Sequence, residues 1–333
     1  MAVTPLILAG DIGGTKCNLA TYRVVGGTLS LARSERFPST EFPGLNAIIR
    51  EYLDTDHPPV LAACFGVPGP VHEGRAKPTN LSWGVDAAEI ADEFGIRNVA
   101  VLNDLEANAY GISHLAPTDF AIIQKGAADA KGNRCVVSPG TGLGEAGLFW
   151  DGRKYHVWAC EGGHSDFAPR NDLEIALLQF LQKQYGHVSV ERVVSGMGIE
   201  NIYKFLRETG RGTEIPAVAA EMKTNDPNVV ISKYADNGQC SMCAKTLEIF
   251  VGCLGAEAGN MALKTMSYGG VFLGGGIPSK LLSRIQSVGF IHAFTDKGRL
   301  TSVMEAMPVY VILNDHAAQL GAAYYALEGS RAS

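Results

Sequence analysis

The chain has 333 residues, with 28 Lys and Arg against 34 Asp and Glu, giving a formal net charge of −6. At 46% hydrophobic and 19% charged it has a globular composition, and at about 150 residues per domain its length suggests two domains. The acidic balance excludes a broad basic field for nucleic acid, no apolar run approaches the ~18 residues of a membrane span, and Asp11 interrupts an N-terminus without basic residues, so the sequence predicts a cytoplasmic protein with no nucleic-acid or membrane partner.

Residues 6–9 read as a buried strand, 10–15 as a tight Gly-rich loop, and 18–22 as a second strand closed by the Gly26-Gly27 turn. Residues 42–53 and 86–94 have the spacing of amphipathic helices, and 60–65 and 99–102 that of further buried strands. This order implies a mixed sheet with helices on it. A Pro-containing polar stretch at 115–118 offers the best domain break, after which strands restart at 120–123 and 135–137. Residues 140–144 form a second Gly-rich loop, 146–150 a strand, and from Asp172 the pattern is helical for a long way. Residues 309–313 are a late strand, and Asp315 is placed to cap an Ala-rich helix over 317–327. Strand, Gly-rich loop, strand thus occurs twice, which points to two related halves.

Gly10-Asp11-Ile12-Gly13-Gly14-Thr15 lets backbone N–H groups converge on an anion, and Thr15 adds a hydroxyl. Asp11 would repel a phosphate by itself, which argues for a bridging magnesium or water; the same glycines would also serve a plain hairpin. In Ser138-Pro139-Gly140-Thr141-Gly142-Leu143-Gly144 the glycines fall as G-x-G-x-G before a strand, unlike the helix-opening dinucleotide fingerprint. The chain has no P-loop motif. Gly274-Gly275-Gly276 follows a buried strand and precedes Pro278, giving bare backbone for adenosine or simply a turn.

Asn103-Asp104 stand at the carboxyl end of a strand, where α/β sheets bind ligands. Asp104 there fits a base for a substrate hydroxyl in phosphoryl transfer, and equally a helix cap. Glu161-Gly162-Gly163-His164-Ser165-Asp166 pairs a carboxylate with an imidazole, suited to polyol hydroxyls or to a polar surface turn; its glycines disfavour a metal-binding helix. The seven cysteines are odd in number and dispersed, which fits a reducing compartment, and Cys240-Ser-Met-Cys243 is half a zinc motif with no second pair.

Taken in order, residues 10–15, Gly66-Val67-Pro68-Gly69-Pro70, Asn103-Asp104, residues 140–144, Glu161-Gly162-Gly163-His164, residues 191–196, residues 274–276 and Asn314-Asp315 resemble the bacterial glucokinases of the sugar kinase and actin superfamily. The resemblance runs from Leu6 to about Leu327. It implies an α/β protein of two ribonuclease-H-like (actin-like ATPase) domains, mixed sheets with flanking helices, and a cleft between them. The small domain would be 1–114 plus 310–333, the large one 115–309.

The implied activity is ATP-dependent phosphorylation of glucose to glucose 6-phosphate, a glycolytic step, with ATP and Mg2+ as cofactors and a homodimeric assembly. Asp104 would be the general base. Gly10, Asp11, Ile12, Gly13, Gly14, Thr15, Gly140, Thr141, Gly142, Gly274 and Gly275 would hold ATP, with Thr141 at the γ-phosphate and magnesium carried with the nucleotide near Asp11. Asn103, Asp104, Glu161, His164 and Glu191 would hold the sugar, with Asn80 a weaker candidate. No Cys cluster follows His164, unlike the related zinc-containing ROK kinases, and Ser138 replaces a Gly common before the second loop. The alternatives are a kinase for fructose, mannose or an N-acetylated sugar, or a non-catalytic sugar sensor. A regulator would need an N-terminal DNA-binding module, for which a first strand beginning at Leu6 is expected to leave no room, and an actin-like filament or chaperone ATPase would not explain residues 161–166.

Overall fold

The structure, a computed structural model, describes residues 5–53, 58–78 and 81–332. The chain divides into two compact units: Met1–Asp119, Val157–Ala159 and Asn314–Ser333 form the first, and Phe120–His156 with Cys160–Leu313 the second.

The first unit is built on five strands: β1 (Leu6–Ile12), β2 (Lys16–Val25), β3 (Thr28–Pro38), β4 (Val60–Val67) and β8 (Asn98–Asn103), in the order β3-β2-β1-β4-β8. Between β4 and β8, the two-residue strands β5 (Val71–His72), β6 (Arg75–Ala76) and β7 (Val85–Asp86) form a small ribbon. β1 pairs antiparallel with β2 and parallel with β4, and β4 pairs parallel with β8. Alternation along β1 sorts its side chains. Leu8 and Ile12 enter a core with Phe65 and with Ile48 of the helix Leu45–Leu53. Ile7 and Ala9 face the other way, with Cys64, Ala322 and Ala323.

That second face is covered by the helix Ala317–Ala332, which also packs against the helix Asp104–Ile112. A Cβ at Gly111 would overlap the Ala317 carbonyl, and one at Gly321 the Ala107 carbonyl, so the two helices meet backbone to backbone. Just ahead of the terminal helix, Asn314 Oδ1 accepts the His316 N–H at 2.9 Å.

The second unit repeats the plan. β9 (Phe120–Gln124), β10 (Arg134–Pro139), β11 (Leu143–Trp150), β12 (Tyr155–Cys160), β13 (Gly270–Leu273) and β14 (Val309–Ile312) lie in the order β12-β11-β10-β13-β14-β9. Again an antiparallel run of three continues into two parallel strands, with β9 added at the edge. The 25-residue helix Ser241–Thr265 is buried over most of its circumference and centres the core, Phe250 and Leu254 meeting Val271 and Phe290. Its N-terminus explains the Cys240/Cys243 pair: Cys240 Sγ accepts the Cys243 N–H at 3.3 Å as the helix cap. The fold is therefore the α/β, twice ribonuclease-H-like architecture that the resemblance implied.

Candidate active site

In the first unit the Gly-rich segment is narrower than expected. Gly10 and Asp11 belong to β1, paired to Leu19 and Asn18 on one side and to Phe65 and Gly66 on the other. Gly10 is a packing residue: a Cβ there would come within 2.7 Å of Phe65 and 2.9 Å of Leu19. Ile12 is buried in the core and can present only backbone. The loop proper is Gly13-Gly14-Thr15, closed by the Gly13 N–H on the Lys16 carbonyl (2.8 Å) and with Thr15 exposed. Ser39, which the sequence reading passed over, braces it: its N–H donates to the Thr15 carbonyl (3.1 Å) and its Oγ to the Gly13 carbonyl (2.8 Å).

Asp11 lies beneath this loop. Asn18 Nδ2 donates to its Oδ2 across a long 3.5 Å. Burial pushes its carboxyl up from the ordinary range, against the opposing influence of Asn18 and His316. Asp104 opens the helix Asp104–Ile112 at the end of β8, its Oδ1 accepting the Leu105 N–H at 2.9 Å. Gly66 on β4 separates the two acids: it pairs with Asp11, and its missing Cβ would stand 3.6 Å from Asp104 Cα. Both carboxylates thus emerge at one end of one sheet. Asn103 is the cap of that helix, Oδ1 accepting from the Leu105 and Glu106 N–H groups (2.9 and 3.3 Å) and Nδ2 donating to the Gly69 carbonyl at 3.1 Å. Only the second Nδ2 hydrogen is left for a substrate. Asn80 falls outside the described residues.

In the second unit the loop is Gly140-Thr141-Gly142, since β10 runs through Pro139 and β11 begins at Leu143. The Gly140 N–H closes on the Gly142 carbonyl and the Gly196 N–H donates to the Gly140 carbonyl, both at 2.8 Å. Glu191 Oε2 accepts the Leu143 N–H at 2.9 Å, and Gly142 needs its bare Cα because a Cβ would lie 2.5 Å from that oxygen. Thr141 is exposed.

Glu161 and His164 sit in the turn around Gly162–His164, their Oε2 and Nε2 3.9 Å apart and both side chains about 60% exposed, 62% and 63%. So exposed a pair adds little stability, which leaves both groups available to a ligand. The glycines serve close approach: a Cβ at Gly163 would overlap the Leu143 carbonyl, and one at Gly162 would overlap Glu145 Oε2. The Val190 N–H donates to the Ser165 carbonyl at 2.9 Å and Asp166 bridges to Ser189, so Glu161, His164 and Glu191 are brought together.

Gly274 and Gly275 lie against Ser138 and Pro139, where a Cβ on Gly275 would come 2.7 Å from the Pro139 carbonyl and where φ is +77°. Beside them opens a pocket of about 560 Å3, within the usual range for a small ligand. Gly140 and Thr141 line one wall and Gly196 another, with Asn228, Gly276 and Lys280 around the rest. Asp226 and Asn228 lie far along the chain from both loops, and no local motif marks them; only the Asp226-Pro227 pair, a helix start, is legible.

A family model described as Glucokinase matches residues 8–329. The chain belongs to the glucokinase family. A glucokinase from Nostoc punctiforme is 40% identical over 333 residues, spanning 96% of this chain and 98% of the relative. A crystal structure of glucokinase from an Antarctic psychrotroph is 33% identical, covers 97% of this chain and 99% of its own, and superposes with a TM-score of 0.85. The structure of a ROK family glucokinase from Streptomyces griseus in complex with glucose and AMPPNP, at 20% identity and a TM-score of 0.65 over 97% of this chain and 99% of its own, shares the fold. The activity of the chain is that of the family, ATP-dependent phosphorylation of glucose.

Proposed function

We propose that Asp104 is the general base that takes the proton of the glucose 6-hydroxyl. Glu161, His164 and Glu191 hydrogen-bond the other hydroxyls, and Asn103 contributes its remaining amide hydrogen. The observation that carries this reading is the placement of Asp104: a half-buried carboxylate at the carboxyl end of β8, fixed by the first turn of a helix and separated from Asp11 by Gly66 of β4. A base held on a rigid element removes the entropic cost of alignment, which is most of what phosphoryl transfer asks of a protein.

The nucleotide lies, in this reading, on the backbone of Gly13, Gly14 and Thr15, on Gly140, Thr141 and Gly142, and beside Gly274 and Gly275, with Thr141 nearest the γ-phosphate. Asp11 has the chemistry to hold Mg2+, directly or through water, because it is a desolvated carboxylate with one long hydrogen bond. Bound Mg2+ supplies charge neutralisation for the phosphates. Glu191 has two tasks in this reading: Oε2 fixes the Leu143 N–H, and Oε1 is left for the sugar. The reading includes a homodimer acting in the cytoplasm, as the family resemblance implies; sedimentation velocity on the purified chain checks the assembly.

Asp104→Asn tests the assignment. A general base contributes about 10²–10⁴-fold, so kcat falls by that factor while glucose binding, followed by calorimetry, is kept. Near-normal kcat would remove Asp104 from the chemistry. A hexose panel with MgATP tests the substrate: turnover with fructose, mannose or an N-acetylated sugar in preference to glucose would overturn the specificity.

A further inference from the structure

Beneath the Glu161–His164 turn lies a pair of buried acids that the reaction does not use. Glu145 on β11 is 1% exposed and Glu257 on the helix Ser241–Thr265 is 4% exposed. Both Glu145 carboxyl oxygens and Glu257 Oε1 are sealed from solvent without a hydrogen-bond partner. Two ionised carboxylates cannot remain so, because each buried charge without a donor is strongly destabilising. One proton between them resolves the conflict: a neutral carboxyl donates and a carboxylate accepts.

The surroundings decide which acid keeps the proton. Asn260 Nδ2 donates to Glu257 Oε2 at 3.0 Å, Lys264 Nζ lies 4.0 Å from Glu257 Oε1, and Lys297 Nζ binds Asn260 Oδ1 at 2.9 Å. The positive groups therefore gather on Glu257. Around Glu145 the facing groups are Glu257, the thiols of Cys135 and Cys160, and the more distant Lys264. Glu145 is thus the neutral member, and burial together with the Glu257 charge pushes it up to about 8.

Glu145 also touches the proposed sugar-binding turn. Its Oε2 occupies the space a Cβ on Gly162 would fill, between Glu161 and His164, and its carbonyl accepts from Cys160 Sγ at 3.5 Å. We propose that Glu145 and Glu257 share one proton and that this neutral-plus-charged carboxyl pair is a positioning device, setting the height of the Gly162–His164 turn and with it the affinity for sugar. Loss of the proton places two repelling charges under Gly162 and lifts the turn. The first half of the inference stands by itself; the second rests on the proposed role of Glu161 and His164.

Infrared titration of the full chain tests the shared proton. A protonated-carboxyl stretch should persist at neutral pH, titrate near pH 8, vanish in Glu145→Gln, and titrate at lower pH in Glu257→Gln, where the like charge is gone. Absence of that band at neutral pH in the folded wild type would overturn the pairing. The KM for glucose should rise about fivefold between about pH 7 and pH 9 with the KM for ATP flat, and Glu145→Gln should flatten that rise. An identical alkaline rise in Glu145→Gln would overturn the positioning role. Glu161→Gln and His164→Ala report separately on the sugar-binding reading: if neither moves the KM for glucose, that reading fails, while the infrared band still decides the proton.

Discussion

The hairpin joining β1 to β2 and the hairpin joining β10 to β11 occupy equivalent places. In each, a central strand turns into its antiparallel neighbour while a parallel strand lies on its other side. They differ in two ways. The last paired residues are Ile12 and Cys17 in one, Pro139 and Leu143 in the other, so the first turn is longer by one residue. At the position before the last pair, the first carries Asp11 and the second Ser138. Their supports differ as well: Ser39 from a neighbouring turn steadies the first, while the Glu191 carboxylate and the Gly196 N–H steady the second. One topology therefore yields two electrostatic characters. The first hairpin carries its carboxylate at the strand end beneath the loop, where a cation could share it; the second carries Ser138 there, and its carboxylate, Glu191, is engaged by the Leu143 N–H.

The sharpest way to break this contrast is to exchange its charge. Asp11→Asn should raise the Mg2+ concentration needed for half-maximal rate by about 10- to 100-fold, the cost typical of disturbing a metal site, whereas Ser138→Ala should leave it nearly unchanged; rate against Mg2+ concentration measures both. Equal responses would mean that the two loops are electrostatically alike. Next in size is Gly142→Ala, which drives a methyl against Glu191 Oε2 and should cost about 1–3 kcal/mol of stability and raise the KM for ATP. Smallest is Ser39→Ala, which deletes the bond to the Gly13 carbonyl and should lower stability by about 1 kcal/mol in denaturant titration. A larger loss there than for Gly142→Ala would show that the first loop depends more on its brace than the second does.

Much of this was legible in the sequence because both central strands are short apolar runs that end in glycines. The boundaries were not. Gly10 and Asp11 resemble the start of a turn, yet both are paired on two sides, and Gly10 is small because Phe65 and Leu19 crowd it. Local spacing carries no information about a neighbour 55 residues away. The Gly162-Gly163 pair reads as a polar surface turn; it is a close approach to β11, visible only once Leu143 and Glu145 lie beneath it. Glu145 itself left a faint mark, an acid within the apolar strand Leu143–Trp150 on the face it shares with Leu143. Asn228 left none, because its place beside Thr141 is set by tertiary packing alone.

The helix Ala317–Ala332 gives the molecule an order of assembly. It closes the core of Ile7, Ala9 and Cys64 and meets the helix Asp104–Ile112 at Gly111 and Gly321 with no side chain between. During synthesis that face of the first sheet is covered only in part, by the helix Asp104–Ile112, until the helix Ala317–Ala332 has been made. The second unit, nearly continuous from Phe120 to Leu313, is by then available to fold. Completion of the first unit's core therefore comes after the second unit's chain is made, against the usual N-terminal-first order of domain folding, and until then the alanine-lined face of β1 and β4 lacks its cover.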